Sequence, residues 1–266
     1  MGARKKLAGL PEWEEVLSAA CRLQQILPDA VLVGGTATSL HAQHRVSRDA
    51  DHVLQDLRDR FDEVLARLEQ IAGWKTARTA RPVQILGALD GIMTGVRQMI
   101  RTEPLETLAI ATRSGPITIP TAAEMLRIKS ALILTRNATR DYVDFAALSD
   151  GLGWGQSVRS LERFEQLYPQ PHGESALQQL AKQLADPRPY DLDDVDLAEY
   201  RHLVPRWQAW KSIVEQCAGV AVRLIDHLAS AAEAPSAPRT PARRVRGKSR
   251  RSRPKSLRPG KGSGKP

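Results

Sequence analysis

The sequence predicts an α/β (α+β) protein: a small mixed-sheet domain over residues 1–120, a helical domain over 121–234 and a disordered basic tail over 235–266. Three observations lead there. Strand-like and helix-like apolar patterns alternate as far as Ile119. From the capping box Thr121-Ala-Ala-Glu124 onward, helical patterns take over. Beyond Ala234 the chain has no aromatic or acidic residue and is rich in Arg, Lys, Pro, Ser and Gly. Such a composition cannot bury enough apolar surface to offset chain entropy.

Taken in order, Pro11–Ile26 sets Trp13, Val16, Leu17, Ala20, Leu23 and Ile26 at three- and four-residue spacings, an amphipathic helix. Ala30–Val33 is a short apolar run of the buried-strand kind. Gly34 and Gly35 then allow a sharp turn and a close approach to a ligand, and Thr36 is a suitable N-cap for a helix over Ala37–Gln43. Phe61–Ile71 repeats the helical pattern and Gly73 is its stop. Val83–Leu89 and Ile92–Met99 read as strands hinged at Asp90-Gly91, a hairpin dipeptide. Thr107–Thr112 turns at Ser114-Gly115-Pro116 into Ile117–Ile119. In the second half, helices are expected over 121–136, 157–168, 175–185, 197–202, 205–216 and 220–229, with Trp207 and Trp210 packed in a core. The five aspartates between Asp186 and Asp196 lack the spacing of a Ca²⁺ loop and read as a solvated linker.

The stretch that carries chemistry runs from Ala30 to Leu54. On an extended strand Asp49 and Asp51 project from one face, and two neighbouring carboxylates repel unless a cation lies between them. Mg²⁺ suits that position, because it takes hard oxygen ligands and completes its shell with water and substrate phosphates. A strand, a glycine turn and a helix N-terminus supply a phosphate site beside it. The combination suggests metal-assisted nucleotidyl transfer.

Gly34-Gly35-Thr36 followed by His44-Arg45-Val-Ser47-Arg-Asp49-Ala-Asp51 resembles the signature of the polymerase-β-like nucleotidyltransferase superfamily. It is most similar to the AbiEii/AbiGii-type nucleotidyltransferases, many of them toxins of bacterial toxin–antitoxin systems. A second block, Lys129 on one helix and Arg140-Asp141-x-x-Asp144 at the head of the next, fits the same family. The resemblance covers about Leu32 to Leu148. It implies a nucleotidyltransferase domain in the first half, with the helical half facing it across a cleft. Gly34, Gly35 and Thr36 would then hold the triphosphate of an NTP substrate, and Asp49 and Asp51 would bind Mg²⁺. Lys129 would pair with phosphate, while Arg140, Asp141 and Asp144 would close the far side and orient the nucleotide or the acceptor. Asp49, Asp51, Lys129 and Asp141 are thus the candidate catalytic residues. Related toxins modify the 3′ end of transfer RNA, so the resemblance implies an RNA acceptor and a cognate antitoxin partner.

One departure from the superfamily pattern concerns the third carboxylate, usual on a later strand. The one acid between Val83 and Arg101 is Asp90, at the hairpin tip, and Arg97-Gln98 stand where that carboxylate is expected. Either an altered turn delivers Asp90, or the site runs on two carboxylates. Two rival readings stand beside a nucleic-acid-modifying enzyme. One is a non-catalytic nucleic-acid- or partner-binding module that retains the fold. The other is a nucleotidyltransferase acting on a protein or a small molecule.

Composition narrows the setting. No apolar run approaches the roughly 18–20 residues that span a bilayer, and MGARKKLAGLPEW lacks a signal-peptide apolar region. Cys21 and Cys217 have no metal-type spacing. A cytoplasmic protein with no membrane partner is expected. The +9 net charge lies in the tail, which holds 12 of the 39 Lys and Arg residues and none of the 30 acids. The preceding body is slightly acidic, so the tail is the part expected to attract nucleic acid.

Overall fold

The Asp90-Gly91 turn shows how local chemistry sets the sheet. Both residues take positive φ (52° and 85°), the conformation a two-residue hairpin needs to match the strand twist. It joins β4 (Gln84–Leu89) to β5 (Ile92–Gln98), which pair antiparallel with Leu89 opposite Ile92. The structure, a computed structural model, describes residues 7–233; the basic tail and its expected affinity for nucleic acid lie outside them.

The main sheet has five strands in the order β1-β2-β5-β4-β3, with β1 at Val31–Leu32, β2 at Ala50–Leu54 and β3 at Trp74–Ala80. Its pairs are antiparallel except β2 and β5, which run parallel with Asp51 beside Gly95 and Val53 beside Arg97. A parallel pair needs a long crossover, and residues 55–91 supply it through α3 (Phe61–Glu69), β3 and β4. The sheet is therefore mixed. A separate antiparallel ribbon, β6 (Thr107–Thr112) and β7 (Gly115–Pro120), leads into the helices.

Of these, α1 (Pro11–Ile26) and α2 (Gly34–Ala42) precede the crossover. α4 (Ala122–Arg136) opens on Thr121, whose hydroxyl accepts a hydrogen bond from the Glu124 amide, half of the expected capping box. The Glu124 carboxylate does not reach back; it is buried between Arg101 and Arg127. α5 (Thr139–Leu152), α6 (Trp154–Leu161), α7 (Phe164–Leu167) and α8 (Ala176–Ala185) follow. Residues expected as two helices, 205–216 and 220–229, form a single-turn 3₁₀ segment at Pro205–Gln208 and one long helix, α9 (Trp210–Glu233). Gly219 lies within it with its bare Cα against the Trp154 ring, where a Cβ would come within 3.1 Å.

α1 contributes to both hydrophobic clusters of the core. Its Leu23 and Leu27 beyond it pack with Phe61, Val64, Leu68, Ile85, Leu89 and Val96 on one face of the sheet. Trp13, Val16 and Leu17 join Ile117, Ile119 and the apolar sides of the helices α4 to α9. Each fully buried Leu or Ile stabilises the fold by roughly 1.5–3 kcal/mol. Together the two clusters fix the sheet against the helices and leave a cleft between them. Among the described residues no helix is long and apolar enough to cross a membrane.

Candidate active site

Alternation along β2 decides what faces the cleft. Ala50, His52 and Leu54 are buried on one side, while Asp51 and Val53 line a cavity of about 920 Å³ on the other. Asp49, one residue before the strand, lines the same cavity. Burial, and after it the neighbouring Asp51 carboxylate, push the Asp49 carboxyl above its ordinary value, against the opposing pull of Arg140, Arg45 and Arg48. Two neighbouring carboxylates in an open cavity fit one hard divalent cation, with room for water or phosphate oxygens in the rest of its shell. Among the described residues no group of three or more His, Cys, Asp or Glu side chains is placed to hold a metal.

Beside the pair, α2 begins at Gly34, whose φ of 70° lies in the region that favours glycine. Gly35 is required for a different reason: a Cβ there would sit 2.5 Å from Arg45 Nη2 and 2.7 Å from Ser47 Oγ. Val33 occupies the N-cap and offers no capping side chain. The first-turn amides of α2 thus open towards the cavity that Val33, Gly34 and Gly35 line, an arrangement suited to a phosphate. Thr36 is not the N-cap, because the helix starts two residues before it. It is fully buried, outside the cavity lining, and its hydroxyl donates to the Asp49 carbonyl at 2.5 Å. Its hydroxyl pins the Asp49 loop.

The second block forms a buried ionic network. Asp144 accepts hydrogen bonds from His44 Nε2 at 2.8 Å and from Arg45 Nε and Nη2 at 2.9 and 3.1 Å, and pairs with Lys129 Nζ at 2.7 Å. Asp141 receives a two-pronged contact from Arg136 at 2.7 and 2.8 Å, with Lys129 Nζ at 3.3 Å. Burial pushes the Asp144 carboxyl up, but Arg45, Lys129 and then His44 outweigh it and hold it well below the usual carboxylate range. Burial likewise lowers the His44 imidazole, more than Asp144 raises it, so His44 is neutral near pH 7. Lys129, although 2% exposed, reaches the cavity wall together with Arg45, Arg136 and Arg140. It does not snorkel outward. Asp141 and Asp144 are fully buried and do not line the cavity. Expected to orient nucleotide or acceptor, they instead stand behind the wall and hold the cations that form it.

The far wall comes from a segment read in sequence as a solvated linker over 186–196 and a helix over 197–202, of which a 3₁₀ turn at Leu197–Glu199 forms. Residues 186–201 are a strap: Asn137 bonds the Arg188 carbonyl, and the Asp191 carboxylate caps α5 by accepting from the Thr139 amide and hydroxyl at 2.7 and 2.8 Å. The Val46 amide donates to the Arg201 carbonyl and the Val204 amide to the His44 carbonyl, both at 2.8 Å. Asp194, Asp196, Glu199, Tyr200 and Arg201 therefore line the cavity, and the Tyr200 ring lies 5.6 Å from the Arg45 guanidinium. No sequence signal marked Tyr200 or Arg201; three carboxylates and an aromatic in a Pro-rich segment were the available hint.

Asp90 is not delivered to the site. It pairs with Arg22 of α1 at the hairpin tip, outside the cavity. Arg97 of β5 is in the cavity, its Nε 4.0 Å from Asp51 Oδ1.

A Helicobacter pylori crystal structure described as a "putative nucleotidyltransferase" superposes with a TM-score of 0.52 over 82% of this chain and 96% of that one, at 15% identity. JHP933, also from Helicobacter pylori, gives 0.50 over 86% and 97%, at 14% identity. The fold is a nucleotidyltransferase fold. No model of a known protein family matches the chain. In sequence, it is 33% identical over 129 residues to the heme uptake protein MmpL11 of Mycobacterium tuberculosis. That match takes in 47% of this chain, which spans 13% of the length of that relative.

Proposed function

We propose that this chain is a Mg²⁺-dependent nucleotidyltransferase that moves a nucleoside monophosphate from an NTP to an acceptor hydroxyl. The observation that carries the reading is the placement of Asp49 and Asp51 in one cavity, between the open N-terminus of α2 and the buried cations around Lys129. In this reading the α2 amides and Lys129 bind the phosphates, and Arg140 adds charge from the head of α5. Asp49 and Asp51 hold the metal, which when bound neutralises charge on the phosphates during in-line displacement. Asp141 and Asp144 position Lys129, Arg136 and Arg45, so that no side chain has to reorganise when the triphosphate arrives. The proposal takes the chain as two domains divided at about residue 120, with the cavity lined from both.

For the acceptor we take RNA, the 3′ end of transfer RNA in particular, and for the setting a bacterial toxin–antitoxin pair in the cytoplasm. This rests on the resemblance of the two sequence blocks to AbiEii-type toxins. Incubation of the protein with Mg²⁺, each labelled NTP and total RNA tests it. Label in RNA supports the reading. Label in protein or a small molecule keeps the chemistry and replaces the acceptor. Absence of transfer with every NTP overturns the enzyme and leaves a binding module.

A further inference from the structure

We propose that the site is built for a single divalent ion, with the Arg97 guanidinium as a fixed cation where a second metal would otherwise sit; the inference rests on the nucleotidyltransferase reading. A second metal about 3.5–4 Å from the first needs carboxylate ligands of its own, or shares a bridging carboxylate and takes at least one more. Asp194, Asp196 and Glu199 line the far wall of the cavity, but among the described residues no third acid is grouped with Asp49 and Asp51. Within the sheet, such a ligand would come from a strand beside the Asp49–Asp51 segment. On one side of β2 lies β1, two residues long, whose Val31 and Leu32 offer no oxygen ligand in their side chains. On the other lies β5, whose register sets Gly95 beside Asp51 and Arg97 beside Val53. Val53 shares the cavity face with Asp51, so Arg97 shares it too, and its Nε lies 4.0 Å from Asp51 Oδ1.

The other cavity residues of β5 and the segment after it are Met93, Thr94, Gln98, Met99 and Ile100, none of them acidic. Asp90 is held at the hairpin tip by Arg22. Arg97 has no other ion-pair partner among the described residues, and about half of its side chain is exposed. A permanent cation on this wall repels a second metal while complementing the same negative charge that a second metal would neutralise. It would contact substrate phosphate or the attacking acceptor.

The experiment counts metal rather than turnover. Protein and an equimolar non-hydrolysable ATP analogue, both well above their dissociation constant, are titrated with Mn²⁺ and followed by electron paramagnetic resonance. Wild type should bind one Mn²⁺ per complex and give the signal of isolated ions. Arg97→Asp should bind two and show an exchange-coupled signal. Arg97→Gln should still bind one, with the analogue held about tenfold more weakly. Two coupled ions in the wild type would overturn the inference while leaving the nucleotidyltransferase reading intact. So would one isolated ion in Arg97→Asp together with unchanged affinity in Arg97→Gln. If wild type binds neither the analogue nor Mn²⁺ in its presence, the nucleotidyltransferase reading itself fails. Arg97 is half-exposed on its strand, so circular dichroism and thermal melting of both variants should match wild type.

Discussion

Replacing Asp144 by Asn should destabilise the protein severely without touching the cavity lining. The substitution is nearly isosteric, yet it removes the one negative charge shared by Arg45 and Lys129, whose side chains are 9% and 3% exposed. Losing one partner of a buried pair costs roughly 3–5 kcal/mol, because the remaining charge stays out of water without compensation. Asp141 still lies near Lys129, which places the expected cost within that range rather than above it. For a protein of this size about 2–4 °C of melting temperature accompanies each kcal/mol, so a fall of about 6–20 °C is expected. Asp62→Asn, which breaks the exposed pair with Arg81, is the internal comparison and should cost about 1 kcal/mol or less. The pH dependence adds a second reading. The folded-state carboxyl of Asp144 lies below its ordinary value of 3.8, so its contribution is complete above that value and is lost as pH falls through the folded one. The gap between wild type and Asp144→Asn should therefore hold from neutral pH down to about pH 4 and close in stronger acid. Thermal melting at pH 7 and across the acid range measures both. A loss under about 1 kcal/mol at pH 7 would refute the claim that this network holds the wall.

Other expectations follow from the same geometry. Asp49→Asn and Asp51→Asn should each abolish nucleotide transfer, scored with labelled NTP, with the fold intact by circular dichroism. Asp49 has a raised carboxyl pKa, so folding loses stability as pH rises from its ordinary value of 3.8 through the raised one. Asp49→Asn should melt above metal-free wild type at pH 7, and added Mg²⁺ should raise the wild-type melting temperature but not the variant's. Lys129→Met should lower transfer by about 10²–10³-fold, the usual loss when one fixed donor to developing charge is removed. Steady-state kinetics should place most of that loss in kcat. Gly35→Ala should displace Arg45, since the new methyl group would meet its Nη2 at 2.5 Å. A combined loss of melting temperature and NTP affinity would report it, and a crystal structure with Arg45 unmoved would contradict it.

What could be read from sequence was local. The helix at Pro11–Ile26 repeats its apolar residues every turn, the Asp90-Gly91 dipeptide can adopt positive φ, and Thr121 sits three residues before Glu124; each signal lies within a few residues of the element it specifies. β3 was not legible. Along Trp74–Ala80 five central residues are exposed, so no two-residue apolar alternation marks it, and its pairing with β4 is what makes it a strand. The strap was illegible for a related reason: its position depends on backbone bonds to residues some 150 positions away, from Val46 to Arg201 and from Val204 to His44. At the site, the spacing of Asp49 and Asp51 disclosed that they share a face. That Asp144 serves Arg45 and His44, 99 and 100 residues earlier, follows from packing and has no local trace.

The strap also sets when the site can exist during synthesis. The loop from His44 to Asp49 finds partners for its main chain at residues 201 and 204, well after the five-stranded sheet is complete in sequence. A nascent chain that has released residues 7–120 from the ribosome holds both aspartates, with the Thr36 anchor at Asp49 but without those from residues 201 and 204. Assembly of the cavity thus waits until residue 204 has emerged, and a single proteolytic cut between Asp186 and Asp196 should loosen the anchors of the Asp49 loop.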